Sequence, residues 1–578
     1  MSTPEPPRPP DQAAPLLIPR PRSVALDTAR RHAPGGRPIV TRSPDLPPSG
    51  YRLSIDPARV VVLAGDGAGE RAANATLHQL ARQYGQALPT GTIEDAPALA
   101  GRGVMLDVSR CRVPTMAEFG RLIESFASLK LNHLQCYTEH AFAYTFAEPV
   151  WRGCDPITPD EARTLDRLCA QHAIELVPNQ NCFGHLKRWL EHPEFARLAE
   201  THGDWTFLGM PRSGPFSLCP TDPDSLSFVE RLLGELLPHF SSRQVNIGCD
   251  ETHDVGQGRS AEAVRAHGRA EVYRRFVSKV CRHVLESGRT PMVWGDIAGE
   301  HPEVVGALPE GAVGLCWGYE PASDFRSMSA PWRDAGHPWW ACPGTSSWRS
   351  FTGRSSERRA NIRRAARQGV AGGAAGLLVT DWGDLGHHQV WPVALLAIAE
   401  AADAAWTGDE RHETFLDAAS LQVFGDESLA IGRWLEQLGD ADAPIRAVAG
   451  VRTQPDTPAR LANAGALFTE LHPPPARFHL PVDPAPWLET LRRLESLASS
   501  IPTGAGELLE RECRHALAQA MFGARVALHR RGADSGLSAD ALRDERDALI
   551  QEHRGLWLER SRPGGLDESC AFWEAVSP

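Results

Sequence analysis

The sequence predicts an α/β protein built around a (β/α)8 TIM barrel, preceded by a small α/β accessory domain and followed by a C-terminal α-helical region. Three observations carry this reading. From about residue 101 to 405, short and almost continuously apolar strand candidates alternate with amphipathic helices. Eight such strands occur, over the roughly 250–300 residues that a barrel of this kind takes. Each is followed by polar and aromatic residues, as expected where βα loops build a site. An open doubly wound sheet would want a glycine-rich phosphate loop after an early strand, and none is present.

In chain order, residues 1–45 open with "MSTPEPPRPPDQAAPLLIPRPR", a proline-rich composition that reads as a disordered leader. It has no apolar core of signal-peptide length, and no later run approaches a membrane span. Residues 46–100 form the accessory domain. There "ARVVVLAG" is a strand candidate, and "GERAANATLHQLARQYG" is an amphipathic helix with Ala73, Leu77, Leu80 and Tyr84 on one face. So small a unit is expected to pack on the barrel.

The barrel occupies residues 101–405, with strands at 103–108, 132–137, 173–178, 244–249, 291–295, 312–317, 338–342 and 375–380. Its helices carry explicit start signals. Thr115 and Glu118 have capping-box spacing ahead of the stripe Phe119, Leu122, Ile123, Phe126 and Leu129. Thr158, Pro159 and Glu161 repeat the device, with proline at the first helical position. Gly288 ends the helix that carries Tyr273, Phe276, Val277, Val280 and Val284. Residues 406–578 show helical stripes alone, such as "PWLETLRRLESLASSI" and "ELLERECRHALAQAMFGARVALHRR". These helices are free to close the pocket, to form a homodimer, or to do neither.

A chain of 578 residues accommodates two or three domains. Its formal net charge of -12 argues against a nucleic-acid partner, since nothing would neutralise a row of phosphates. Of the twelve cysteines, Cys136, Cys249, Cys316 and Cys342 sit inside apolar runs, and no C-x-x-C pair occurs. Reduced buried thiols in a cytoplasmic protein are expected, with no membrane association, no cofactor and no metal.

The strand ends form a ring of candidate site residues: Asp107 and Arg110; Tyr137 and Glu139; Asn181 and His185; Asp250 and Glu251; Trp294 and Asp296. Trp317 and Tyr319, then Thr345 and Trp348, then Asp381, Trp382 and Asp384 complete it. Aromatic rings stack on the apolar faces of sugars, while carboxylates and arginine bind hydroxyls in a forked geometry, so the ring reads as a carbohydrate pocket. Its densest stretch is "QVNIGCDETHDVGQGRS". Two adjacent carboxylates repel, so one is expected to keep its proton near neutrality beside an ionised partner.

The order of "RGVMLDVSR", "GHL", "GCDE", "WGD" and "TDWGD" resembles glycoside hydrolase family 20, the β-N-acetylhexosaminidases, over about residues 51–400. The resemblance implies a retaining exo-enzyme that removes terminal β-linked GlcNAc or GalNAc by substrate-assisted catalysis. Glu251 matches the general acid and base, and Asp250 the residue that holds the 2-acetamido group. Arg110 is similar to the arginine that binds ring hydroxyls, and His185 to a histidine near the catalytic carboxylates. Trp294, Trp317 and Trp382 resemble the walls around the acetamido group and sugar face. Asp384 stands where the family binds distal hydroxyls, usually with Glu. Asp107 and Asp296 are expected to be structural.

Family members usually place a tyrosine beyond the seventh strand to hydrogen-bond the acetamido oxygen, but here "HPWWACPGTSSWRSF" has none. Tyr319, beside Trp317 and near Trp348 in barrel order, is the expected substitute, and Tyr137 is a second choice.

Three other readings compete. A glycosidase acting on non-acetylated sugars would use a separate carboxylate nucleophile. A non-catalytic sugar-binding barrel would have no reason to keep both Asp250 and Glu251. A metal-dependent hydrolase could draw on His185, His253, His387 and His388, although no H-x-H or H-E-x-x-H spacing occurs.

Overall fold

The computed structural model describes residues 14–33, 35–408, 411–449, 461, 463–472 and 480–577. Its centre is a parallel sheet of eight strands: β1 (Gly101–Asp107), β2 (His133–Tyr137), β3 (Glu175–Val177), β4 (Gln244–Asn246), β5 (Thr290–Trp294), β6 (Val313–Trp317), β7 (Trp339–Cys342) and β8 (Gly376–Asp381). Each lies within the expected stretch or within two residues of it, because strands covered on both faces leave long apolar runs in the sequence.

The spatial order is β4-β5-β6-β7-β8-β1-β2-β3. The ring closes between β3 and β4 through the parallel bridge from Asn179 to Asn246. There the Asn179 and Asn246 amides both donate to Gln135 Oε1 at 2.9 Å. The interior is filled by Met105, Val177, Met292, Leu315, Trp340 and Leu378. Trp340 lies against Gly101 and Gly376, where an added Cβ would fall 2.2 and 2.7 Å from its ring. The barrel is therefore a packed core with its open face at the strand C-termini.

Helix starts follow the sequence, with one difference. Thr158 and Glu161 form a complete capping box. Thr115 accepts from Glu118 N, but the Glu118 carboxylate turns away to Arg121 and Arg560. Gly288 has φ +77°, as expected after a helix end.

The disordered-leader expectation for residues 1–45 is corrected. Residues 1–13 lie outside the described residues, but Leu16 and Ile18 are buried, and their N–H groups donate to Gln83 and Gln79. Ser23–Arg31 and Ile39–Arg42 are strands of a five-stranded sheet with Tyr51–Ile55, Val60–Ala64 and Pro89–Asp95. Both leading strands are largely exposed, so they bury no apolar face that would leave a period-2 pattern.

The expected helix, Gly67–Tyr84, covers this sheet with Ala73, Leu77, Leu80 and Tyr84 buried. The unit docks on the barrel through Asp95, which accepts from Lys130 Nζ at 2.8 Å and from Trp406 Nε1 at 2.8 Å. Lys130 is buried beneath Tyr51 and the Trp406 ring.

Two further features position the site. A hairpin, Asp204–Phe207 and Met210–Ser213, stands in the loop after β3. Its turn residues Leu208 and Gly209 both have positive φ, as tight hairpins require. The C-terminal region contains helices Ala485–Ala498, Glu507–Arg530, Ala539–Arg560 and Leu566–Glu574. It seats on the rim of the barrel: Arg560 pairs with Glu118 at 3.0 Å and Arg562 with Glu161 at 3.0 Å. Arg112, next to the first loop, lies over the rings of Trp391 and Trp557.

Candidate active site

The chain leaves β4 through an unusual turn. Gly248 has φ +67°, Cys249 +74° and Glu251 +53°. A side chain at Gly248 would collide with Asn181 Oδ1 at 2.2 Å, so glycine is needed both for the backbone and for the neighbour. The turn presents Asp250 and Glu251 on the open face of the barrel, with side-chain exposures of 9% and 29%.

His185, early in the loop after β3, joins the two carboxylates. Its Nε2 lies 3.3 Å from Asp250 Oδ2 and 3.4 Å from Glu251 Oε2, while Nδ1 lies 3.7 Å from Glu139 Oε1. Burial alone would make the imidazole less basic, but Asp250 and Glu251 more than offset it, and its pKa is raised well above the ordinary histidine range. Asp250 shows the converse. Burial would raise its pKa, yet His185 and the amide of Asn181, donating at 3.1 Å, hold it below the ordinary aspartate range. Asp250 is thus an ionised acceptor with a fixed orientation.

The proton-holding carboxyl of this cluster is Asp296. It lies beneath the pair, accepts from Glu251 N at 2.9 Å, and is pushed up to about 8 by burial and then by the charge of Asp250. The mutual repulsion expected of Asp250 and Glu251 is relieved at Asp250 by the imidazolium and reappears at Asp296.

The Asp296 proton links stability to pH. Between the ordinary carboxylate range and about pH 8, unfolding releases a proton from Asp296, so the folded state loses stability as pH rises through that window. Asp296→Asn keeps an acceptor for Glu251 N and cannot ionise. Urea midpoints at pH 5, 6, 7 and 8 are expected to show wild type falling progressively relative to this variant. A difference independent of pH would refute the assignment.

A second cluster surrounds Arg110. Its guanidinium lies 3.1 Å from Asp107, 3.6 Å from Glu139 and 3.6 Å from Asp384, and over the rings of Tyr137 and Trp382. Asp107 is buried, accepts from Gly383 N at 2.9 Å, and is raised to about 6 by burial. It orients Arg110 and ties the first loop to the eighth. Tyr137 donates to Glu139 Oε1 at 2.9 Å and accepts from Asn181 at 3.2 Å, linking the Arg110 cluster to Asp250.

The aromatic candidates converge on the same face. Trp382 packs edge-on to Tyr137 at 4.7 Å and lies 6.3 Å from Trp294. Tyr319 stacks on Trp317 at 5.2 Å and meets Trp348 edge-on at 5.1 Å. The indole nitrogens of Trp294 and Trp317 are buried with no protein acceptor. Trp382 Nε1 donates to the Tyr319 hydroxyl oxygen at 3.0 Å. That hydroxyl also senses the charge of Asp250.

The structure brings Asp250, Glu251 and His185 into one cluster and Arg110 and Asp384 into another, with the rings of Trp294, Trp317, Tyr319, Trp348 and Trp382 beside them, while Thr345 donates to Asp381 at 2.7 Å. Glu139, Asn181 and Asp296 join them as positioning or titrating groups. Their signal was their place at strand ends, not their residue type. His253 packs on Phe207, and His388 packs among Phe468, Phe572 and Trp573, so neither belongs to the cluster. Among the described residues no helix is long and apolar enough to cross a membrane.

A family model described as glycosyl hydrolase family 20, catalytic domain, matches residues 151–329, and one described as domain 2 of that family matches residues 21–96. The chain is 25% identical over 304 residues to hexosaminidase D of Homo sapiens, covering 48% of this chain and 59% of that protein. It is 23% identical over 338 residues to hexosaminidase D of Bos taurus, covering 54% of this chain and 95% of that one. Among solved structures, an exo-β-N-acetylglucosaminidase from Vibrio harveyi superposes with a TM-score of 0.58 at 16% identity, over 74% of this chain and 78% of the other. An N-acetyl-β-hexosaminidase from Streptomyces plicatus gives 0.55 at 20% identity, over 74% and 97%. The barrel, the preceding small domain and the carboxylate pair agree with these matches, which identify residues 21–96 and 151–329 as similar to domain 2 and the catalytic domain of glycosyl hydrolase family 20.

Proposed function

We propose that this protein is a retaining exo-β-N-acetylhexosaminidase that removes terminal β-linked GlcNAc or GalNAc, with the substrate's own acetamido oxygen as nucleophile. The observation that carries the reading is the placement of Asp250 and Glu251 on one strand end, both within 3.4 Å of one imidazolium, beside the rings of Trp294, Trp317, Tyr319 and Trp382.

In this scheme Glu251 protonates the glycosidic oxygen as the acetamido oxygen attacks the anomeric carbon from the opposite face. The C–O bond to the leaving group breaks and an oxazolinium-like ring forms. Asp250, already ionised, accepts the acetamido N–H and balances the ring's positive charge. Glu251 then takes a proton from water, which opens the ring at the anomeric carbon, and the two inversions give net retention. Holding the internal nucleophile in place is worth roughly 7–11 kcal/mol in favourable cases. Arg110 and Asp384 are positioned to bind sugar hydroxyls by charge-assisted hydrogen bonds.

The rival scheme needs a separate carboxylate nucleophile. Glu139 faces the pair across His185, but it already accepts from Tyr137 and lies beside Arg110, as suits a group that orients ligands. A thiazoline mimic of the cyclised intermediate separates the two. It is expected to inhibit far more strongly than the product sugar, since it resembles the high-energy state. Asp250→Asn is expected to abolish that preference and to depress kcat/KM on aryl N-acetylglycosides, with the unfolding transition retained. Aryl glycosides lacking the 2-acetamido group should be poor substrates. Good turnover of them, together with weak thiazoline inhibition, would refute substrate assistance.

A further inference from the structure

Directly behind Arg110 and Glu139, the next residues in each loop turn inward and meet a third. Cys111 Sγ lies 3.5 Å from His140 Nε2 and 3.5 Å from Cys154 Sγ. The three donor atoms lie within 4.8 Å of one another, and all three residues are buried. His140 presents Nε2 to Cys111 Sγ, while its Nδ1 is buried with no hydrogen-bond partner. No motif announces the group, because His140 and Cys154 lie 29 and 43 residues beyond Cys111.

We propose that Cys111, His140 and Cys154 form a structural site for a soft cation of filled d shell, Zn2+ or Cu+. Two thiolates and an imidazole favour such ions over Mg2+ or Ca2+. Metal–sulfur and metal–nitrogen bonds of about 2.3 and 2.0–2.1 Å in a tetrahedral arrangement place donors about 3.5–3.8 Å apart. The two 3.5 Å separations at Cys111 match this, and the remaining pair, His140 and Cys154, lies within 4.8 Å. Among the described residues no fourth His, Cys, Asp or Glu joins the group. A Zn2+ ion would complete its shell with water, and Cu+ would be held by three donors.

The surroundings suit bound thiolates. Arg188 Nη1 donates to Cys154 Sγ at 3.1 Å, and its charge is paired with Glu568 at 2.8 Å. Gly564 and Gly565 of the C-terminal region seat directly on the site: a Cβ on either would fall 2.4–2.5 Å from backbone atoms of Cys154 or Cys111. Cys111 itself has φ +57°, which turns its side chain away from the path set by Arg110. An ion here would fasten the first and second barrel loops together, one residue behind the side chains that face the sugar.

The test uses the full chain, purified with a non-thiol reductant. Elemental analysis is expected to give about one Zn or Cu per chain. After removal with a chelator, Zn2+ is titrated in competition with a chromophoric indicator, and Cu+ is titrated anaerobically against a Cu+-specific one. The ion bound more tightly relative to its indicator identifies the occupant. Co2+ should give thiolate-to-cobalt charge-transfer absorption that is absent in Cys111→Ser and Cys154→Ser and retained in Cys281→Ser, a buried thiol elsewhere. His140→Gln is made alongside, since serine at position 154 could disturb the packing under Gly564. Arg188→Gln, which alters only the donor to a ligand, is expected to weaken binding about 10–100-fold. Stoichiometry no higher than in the Cys111→Ser/Cys154→Ser double variant would overturn the proposal. So would a Cys111–Cys154 disulfide in protein purified without reductant and with added Zn2+ present.

Discussion

Glu251→Gln is expected to lower kcat/KM by about 10²–10⁴-fold on substrates whose leaving group needs protonation. The substitution preserves shape and the backbone contact to Asp296, and it removes only the transferable proton. Glu251 is the more exposed of the adjacent pair, as suits a group that must meet both a departing alkoxide and an incoming water. Its backbone at φ +53° is held by the Asp296 carboxyl, so the side chain has a defined origin. An aryl leaving group of low pKa departs without full protonation and should escape part of the loss. Rates on a series of aryl N-acetylglycosides, plotted against leaving-group pKa, are therefore expected to steepen in the variant. Equal losses across the series would show that Glu251 is not the acid.

The barrel was legible because its eight strands are covered on both faces, so each left an apolar run ending in polar residues. Asp250, Glu251, Arg110 and His185 could be singled out for the same reason: each follows such a run. Properties made only by the assembled fold were not legible. Asp296 looks like an ordinary loop aspartate until burial and the charge of Asp250 act on it together. Ser23–Arg31 pairs through its backbone with Pro89–Asp95 while its side chains stay largely exposed, so no hydrophobic pattern marks it. The meeting of Cys111, His140 and Cys154 depends on two loops folding back on one another beneath Gly564, which no spacing rule encodes. The C-terminal helices carried clear stripes, but where they seat depends on contacts that only the fold assembles: Arg560 with Glu118, Arg562 with Glu161, Arg112 over Trp557, and Gly564 against Cys154.

Tyr319→Phe is expected to cost about 10²–10³-fold in kcat on N-acetyl substrates, the usual effect of removing one preorganised donor. The stretch after β7 supplies Thr345 and Trp348 but no tyrosine, so under the proposed mechanism the donor to the acetamido oxygen comes from elsewhere. Tyr319, just beyond β6, stacks on Trp317 and stands edge-on to Trp348, which fixes its ring. Its oxygen accepts from Trp382 Nε1 at 3.0 Å, which leaves its own proton to point elsewhere. Burial keeps the phenol protonated throughout the working range, and the charge of Asp250 acts in the same direction. These features suit a donor that meets the acetamido oxygen as the ring closes, opposite the Asp250 carboxylate on the N–H. Tyr137 is the less suitable candidate, because its hydroxyl already donates to Glu139. The phenylalanine variant keeps the stacking and loses only the hydroxyl. Its KM should change little while kcat falls, and thiazoline binding should weaken in parallel. Unchanged turnover in Tyr319→Phe, with a large loss in Tyr137→Phe, would transfer the role to Tyr137.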